Sequence, residues 1–533
     1  MTIRDPYRST STPTGICMAA YMINCATAKI DSIAAPTPNR SFAGSAATLS
    51  DVRWKTATAY ASTPTPQTSQ DRRVLRGMMR PIVSARGWKT GDMSDPENSY
   101  APDAEVVDIC RELIRIDTSN FGPQPGPGER KAAEQVAALL DEVGITAELF
   151  ESEPGRTSLI ADWAPEGVDP DSSPLLIHGH LDVVPANADD WSVPPFSGEI
   201  ADGCVWGRGA VDMKDFDAMV LSVVRARARA GIAPRRPIRL AFTADEEAGS
   251  GLGATWLVEN QPGVFDGCEE AIGEVGGFSL TVRDDLRLYL IQTAEKGMAW
   301  LDLIADGRAG HGSFRNDDNA VTELAAAVAR IGTYEWPHKI TDAQRAFLDA
   351  VSEAFGIELD PDRAEETLSR LGSIARMVGA TMANTANPTM LRAGYKHNVI
   401  PGKATAAIDG RFVPGGRDEF YATITELLGE KVRYEVVADH PSVETEFAGS
   451  LVEAMQACLV AEDPGARAVP YLLSAGTDAK AWDRLGIRCF GFVPLRLPPD
   501  LDFVSLFHGV DERVPISSLQ FGCRVLDRFL DQA

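Results

Sequence analysis

No stretch of this 533-residue sequence approaches the ~18 consecutive apolar residues that a membrane span needs, which excludes a transmembrane role. Basic residues are in deficit. Lys and Arg number 51 against 76 Asp and Glu, a net charge of −25, so phosphate backbones and anionic membrane surfaces are repelled and nucleic acid is disfavoured as a partner. Cysteine is sparse: the eight (Cys17, Cys25, Cys110, Cys204, Cys268, Cys458, Cys489, Cys523) are scattered, with no CxxC pair. That argues against a disulfide scaffold and a thiolate zinc site, and it suits a reducing compartment. The sequence also lacks a G-x-S-x-G elbow and a P-loop, leaving serine-hydrolase and nucleotide-triphosphatase chemistry unsupported. Gly249-Ser250-Gly251-Leu252-Gly253-Ala254 fits a dinucleotide pattern, but Asp245-Glu246-Glu247 lies between it and the preceding strand and would repel a pyrophosphate.

What is present falls into two populations. Residues 1–92 hold 12 Lys and Arg, five Asp and no Glu, a net of +7 that leaves −32 for the rest. This segment is rich in Ser, Thr, Ala and Pro, shows no sustained period, and reads as a disordered or mis-assigned extension. The preferred reading starts the chain at Met93, whose Ser94-Asp95-Pro96 leads directly into ordered-looking sequence, with an over-extended frame upstream. A transit peptide, or a secretory leader built on Arg4, Arg8 and residues 15–28, is the alternative. With the Met93 start, the expected location is cytoplasmic.

From Met93 onward the texture is α/β. Amphipathic spacing predicts helices at Ile109-Leu113-Ile116, over 129–143 and over 213–230, alternating with short apolar runs at 175–181, 238–243 and 271–274. A near-continuous apolar run of strand length fits a strand covered on both faces, hence a mostly parallel central sheet flanked by helices. A strand–helix–strand–helix series (301–306, 318–331, 404–412, 418–428) then suggests an inserted smaller α+β domain. The expected divisions are 93–294 for the first part of the large domain, 295–437 for the insert and 438–533 for the second part. Residues 334–391 carry extra helical pattern, as at 343–354, and are read as an elaboration of the insert.

Chemistry-bearing residues gather at predicted strand ends, where open α/β sheets bind ligands. His180 and Asp182 follow one apolar strand, two residues apart, so the carboxylate can receive an imidazole N–H while the other ring nitrogen binds a metal. His178 is read as structural. Asp212 opens a long helix, where it could equally be an N-cap. Asp245-Glu246-Glu247 ends the 238–243 strand. Like charges so placed need a cation or a shared proton, and one Glu can bind metal while its neighbour accepts a proton. Glu274 ends another strand, and His508 lies in Phe507-His508-Gly509.

Taken together, HGHLDVVP, GRGAVDMK, the ADEE run, IGE and the late FHG resemble, in order and spacing, the co-catalytic zinc amidohydrolases and peptidases. That family includes aminoacylase, acetylornithine deacetylase, succinyl-diaminopimelate desuccinylase and glutamate carboxypeptidase. The resemblance runs from about Ala104 to the C-terminus. It implies a zinc-peptidase-like catalytic domain with a lid and dimerisation insert, and two zinc ions per subunit, cobalt or manganese being compatible with N and O donors. His180 and Glu274 would hold one ion and Glu247 and His508 the other, with Asp212 bridging and room for a shared water that becomes the bridging hydroxide. Glu246 would be the general base, and Asp182 would orient His180. On the substrate side the resemblance points to His311, reaching across a homodimer, Asn398 in the Asn-Val-Ile-Pro turn, Arg411 as a carboxylate clamp, and Gly476 and Thr477. Lys296 marks the start of the insert.

The expected activity is hydrolysis of an amide or peptide bond in a small carboxylate-bearing substrate, an N-acyl amino acid or a short peptide. The alternatives are an aminopeptidase or dipeptidase of the same fold, and a catalytically silent small-ligand-binding protein.

Overall fold

A computed structural model describes residues 100–169, 171–356 and 374–533. The readings of residues 1–92 and of the Met93 start lie outside the described residues.

The organising element is a ten-stranded sheet whose centre is parallel. Leu175–His180 lies between Ile238–Thr243 and Glu270–Gly273 and runs parallel to both, and Arg488–Gly491 continues the parallel run beyond Glu270–Gly273. Antiparallel pairs finish the flank formed by Ala147–Glu153 and Arg156–Trp163. The period-2 pleat explains why these strands read as unbroken apolar runs. Leu175, Ile177 and Leu240 enter one buried cluster while Leu176 and Ala241 enter another on the opposite face. The first face is covered by Val106–Arg115, Lys214–Ala230 and Ile516–Leu530, the second by Ala254–Asn260 and Ala479–Asp483. Full burial of side chains such as Phe216 contributes about 1.5–3 kcal/mol each. Helix Lys214–Ala230 stops at Gly231, whose φ of 68° suits a left-handed cap; its N–H donates back to Arg227 and Ala228.

A second, four-stranded antiparallel sheet begins one residue after the strand Leu286–Glu295 of the large one. Lys296 is the whole connection. In Gly297–Asp306, Ala299, Leu301 and Leu303 are buried under helices Ala320–Gly332 and Arg417–Leu428, while Met298, Trp300 and Asp302 alternate onto the helix-free face. The other strands are Thr385–Ala393, Lys403–Phe412 and Val432–His440.

One expectation is corrected. The extra helix in 334–391, observed as Asp342–Phe355, was assigned to the insert, yet Phe347, Leu348 and Val351 are buried in the large domain's core, against strand Ala466–Leu473. Its boundaries were readable: the Thr341 hydroxyl accepts the Gln344 N–H, and the Gln344 side chain accepts the Thr341 N–H. Its docking partner, more than a hundred residues away in sequence, was not. Among the described residues no helix is long and apolar enough to cross a membrane.

Candidate metal centre

Three adjacent parallel strands deliver the site from their carboxyl ends. His180 closes Leu175–His180, Glu246 and Glu247 follow Ile238–Thr243, and Glu274 follows Glu270–Gly273. Asp212 comes from the loop before helix Lys214–Ala230. His508 comes from a C-terminal loop, where its φ of 57° holds it in a left-handed conformation. Glu512 ties these last two loops together: its carboxylate accepts the Gly209 N–H (3.0 Å), the Val211 N–H (2.7 Å) and the Arg208 guanidinium (2.6 Å).

The donor atoms converge. Asp212 presents Oδ1 to His180 Nε2 at 3.1 Å and Oδ2 to His508 Nε2 at 3.2 Å, one oxygen for each imidazole. Glu274 Oε2 lies 2.8 Å from His180 Nε2, and Glu247 Oε2 lies 3.0 Å from His508 Nε2. Glu246 stands slightly back, 4.0 Å from His180 Nε2.

A cation fits this arrangement on three counts. The donor atoms of His180, Glu246 and Glu274 lie within 4.8 Å of one another, as do those of His180, Asp212 and Glu247. Glu274 Oε2 is buried without a hydrogen-bond donor of usable geometry. His180 Nδ1 lies 3.0 Å from the Asp182 carbonyl, which can only accept, so Nδ1 carries the proton and Nε2 of a neutral ring aims a lone pair at carboxylate oxygens. That contact is repulsive unless a positive charge lies between them.

The electrostatics agree. Burial, reinforced by the charge of Glu274, holds the Glu246 carboxyl well above the usual range, and burial pushes Glu274 up to about 8. Hydrogen bonds to Asp212 and Glu247 push His508 up to about 10. Burial opposes a charge on His180, but Glu274 and Asp212 outweigh it and its pKa rises. Both imidazoles therefore demand a positive charge.

Asp182 corrects the expected role. Its carboxylate is 3.6 Å from His180 Nδ1 and does not receive that N–H; the backbone carbonyl does. The carboxylate instead accepts the N–H groups of Glu246 and Glu247, each at 3.1 Å, and the Asn120 amide at 2.8 Å. Asp182 thus holds the acidic turn as well as the histidine.

A cavity of about 210 Å³ opens beside Glu246, Glu247 and His508, and Arg411, Gly476 and Thr477 also line it. Arg411 is held by Asp409 through Nε (2.7 Å) and Nη2 (3.2 Å). His311 and Asn398 are not brought to this cavity. His311 is exposed, with Nδ1 2.8 Å from the Ser313 hydroxyl, and Asn398 accepts the Gly312 N–H beside it. Sequence reasoning missed Asn120, Met298, Trp300, His440, Lys480 and Glu512. The alternation of Gly297–Asp306 could have flagged Met298 and Trp300, whereas His440 and Asn120 carry no local signal.

A family model described as peptidase family M20/M25/M40 matches residues 176–532. The chain is 28% identical over 387 residues to the "Probable carboxypeptidase S-like 2" of Dictyostelium discoideum, covering 68% of this chain and 71% of that protein. It is 26% identical over 465 residues to the N-fatty-acyl-amino acid synthase/hydrolase PM20D1 of Xenopus tropicalis, covering 82% and 88%. The fold matches that of the M20 family metallo-carboxypeptidase Sso-CP2 from Sulfolobus solfataricus at a TM-score of 0.61 and 18% identity, over 80% of this chain and 99% of that one.

Proposed function

The chain belongs to peptidase family M20/M25/M40, and from that premise we propose that it is a dinuclear zinc hydrolase of small carboxylate-bearing amides, N-acyl amino acids or short peptides. The observation that carries this reading is the division of Asp212, one oxygen to each histidine, with Glu274 completing one side and Glu247 the other. When bound there, the ions supply Lewis acidity to the scissile carbonyl and acidify a water. The all-N/O donor set suits zinc and would also take cobalt or manganese.

This chain's own residues do the rest. Glu246, buried and set back from the donor cluster, accepts the proton of the attacking water on a carboxylate oxygen and passes it to the leaving nitrogen. Its raised pKa suits that exchange, because a more basic carboxylate takes the proton of water more readily. Arg411, still held by Asp409 through Nε and Nη2, holds the substrate carboxylate through the edge of its guanidinium that Asp409 does not engage. Gly476 and Thr477 border the bound substrate. Residues 295–437, apart from the helix Asp342–Phe355 that packs in the large domain, act as a lid and dimerisation segment through which the partner's His311 and Asn398 complete the site.

The test is metal content by elemental analysis on protein purified without chelators, together with turnover of N-acyl amino acids and of the same compounds amidated at the carboxylate. Two ions per chain are expected, with cleavage only of the free carboxylates. Glu246→Gln should keep the metal and lose about 10²–10⁴-fold in kcat. A Glu246→Gln protein that turns over at the wild-type rate would sink the mechanism.

A further inference from the structure

Two cavities share Trp300 as a wall. One is the cavity of about 210 Å³ beside Glu246 and Glu247. The other, of about 320 Å³, runs over the helix-free face of the four-stranded sheet past Met390, Ala407 and Val437. A sheet covered by helices on one face normally turns polar residues to water on the other. Here that face carries large apolar side chains: Trp300 is 42% exposed, Met390 49% and Val437 60%.

The backbone explains how they gather. Trp300 pairs with Asp409 on one neighbouring strand and Ala438 on the other, and Val437 is the extra residue where the pairing then shifts to Leu301 and Val436. Across the sheet, Met390 stands beside Ala407 just after a second irregularity at Pro388. The two irregularities flank the Trp300 row. Asp409, which borders the groove, is neutralised by Arg411, and Asp302 and Thr389 are the other polar lining residues.

We propose that this groove is an acyl-chain subsite: a substrate whose scissile amide lies at Glu246 extends a long aliphatic acyl chain past Trp300 towards Val437 and Met390. The inference rests on the function proposed above. Continuity decides the occupant. Trp300 belongs to both cavities, so they adjoin at its side chain and a chain leaving the first passes over Trp300 into the second. A second copy of this protein seated on Trp300 would also cover part of the cavity beside Glu246, which Trp300 lines.

The test is a series of N-acyl derivatives of one amino acid, from acetyl to dodecanoyl, on the full zinc-loaded chain. Calorimetric binding of acetate and of decanoate is measured in parallel. Burying a methylene is worth about fourfold in affinity, or about twofold in a groove open along one side, so kcat/KM should climb roughly twofold per carbon up to about the octanoyl compound. Val437→Asp, at a position exposed enough to tolerate the change, should leave the acetyl compound unaffected, flatten the climb and abolish decanoate binding. A flat series with the acetyl compound cleaved overturns the groove and leaves the hydrolase standing. If nothing in the series is cleaved, hydrolysis of N-acyl derivatives of that amino acid fails and the short-peptide half of the proposed function is left. Decanoate binding then decides the groove: selective binding lost in Val437→Asp supports it, and binding no tighter than acetate overturns it. A Val437→Asp protein that changes only its mass in solution assigns the face to a second copy and also overturns the proposal.

Discussion

Asn120 gives the candidate metal centre its rear anchor. Its amide donates to Asp182 Oδ2 at 2.8 Å and to Asp245 Oδ1 at 3.1 Å, while its carbonyl accepts from Arg156 at 2.7 Å and from the Gly122 N–H at 2.9 Å. Asp182 in turn fixes the N–H groups of Glu246 and Glu247, so one buried amide positions the proposed base and a proposed metal ligand. Asn120→Ala should therefore keep the fold and lose about 10–100-fold in kcat and in metal affinity, with KM little changed. Metal titration beside steady-state kinetics checks this. A variant that merely melts earlier, with kcat and metal affinity intact, would reduce Asn120 to a structural role. The contrast between Asn120 and the proposed site residues shows what a sequence carries at this scale. His180, Glu246, Glu247 and Glu274 were legible because each follows an apolar strand, and a strand's carboxyl end implies a place in the fold. Asn120 and Glu512 sit in loops and reach partners 62 and 301–304 residues away, distances over which no periodicity speaks. Asp182 was legible as a residue, but its duty was not, because its own carbonyl competes successfully for the imidazole.

Between elements, Lys296 is the residue on which the two sheets turn. It is 1% exposed, and its ammonium donates to the carbonyls of Ala380 (3.0 Å) and Ala383 (2.8 Å) and to the Thr385 hydroxyl (3.2 Å), with no carboxylate among these partners. Burial, helped by the charge of Arg411, pushes its pKa down to about 7. An unfolded lysine titrates near 10.4. Between about pH 7 and 10 the unfolded chain therefore binds more protons at this site, and stability rises with pH across that window; the full penalty applies below it. Lys296→Met removes the term. In urea titrations the wild type should gain stability relative to Lys296→Met from pH 7 to pH 9.5, and parallel profiles would refute the assignment. The same region shows why some elements escaped the sequence. Thr385–Ala393 contains Pro388 and an irregular register, which an edge strand tolerates but a period-2 pattern does not survive. Val432–His440, the opposite edge, is studded with Arg433, Glu435, Asp439 and His440, as edges that resist further pairing are. The central strands and most helices, by contrast, were readable from apolar periodicity alone.

For the molecule as a whole, the separation of His311 and Asn398 from the cavity beside the metal cluster is a geometric fact with two resolutions. Either the segment carrying them swings onto the same chain's site, or they serve the site of a second copy. The two residues travel together: Gly310–His311 pairs with Val399–Ile400, and the Gly312 N–H donates to the Asn398 carbonyl at 2.9 Å. Phe314, 73% exposed, packs against the His311 ring at 5.5 Å, so an apolar surface accompanies the pair. A two-fold dimer would give each chain's pair to the other's site, and such an arrangement can be tested by complementation. Glu246→Ala and His311→Ala should each be nearly inactive alone. If they are unfolded and refolded together, or co-expressed, half of the dimers formed at random contain one chain of each kind. In these mixed dimers the site with an intact Glu246 receives its histidine from the partner, whereas the other site lacks both groups. Roughly a quarter of wild-type activity should return. A histidine acting within its own chain returns none, because no single chain in the mixture holds both residues, so the activity of the mixture decides between the lid and the partner.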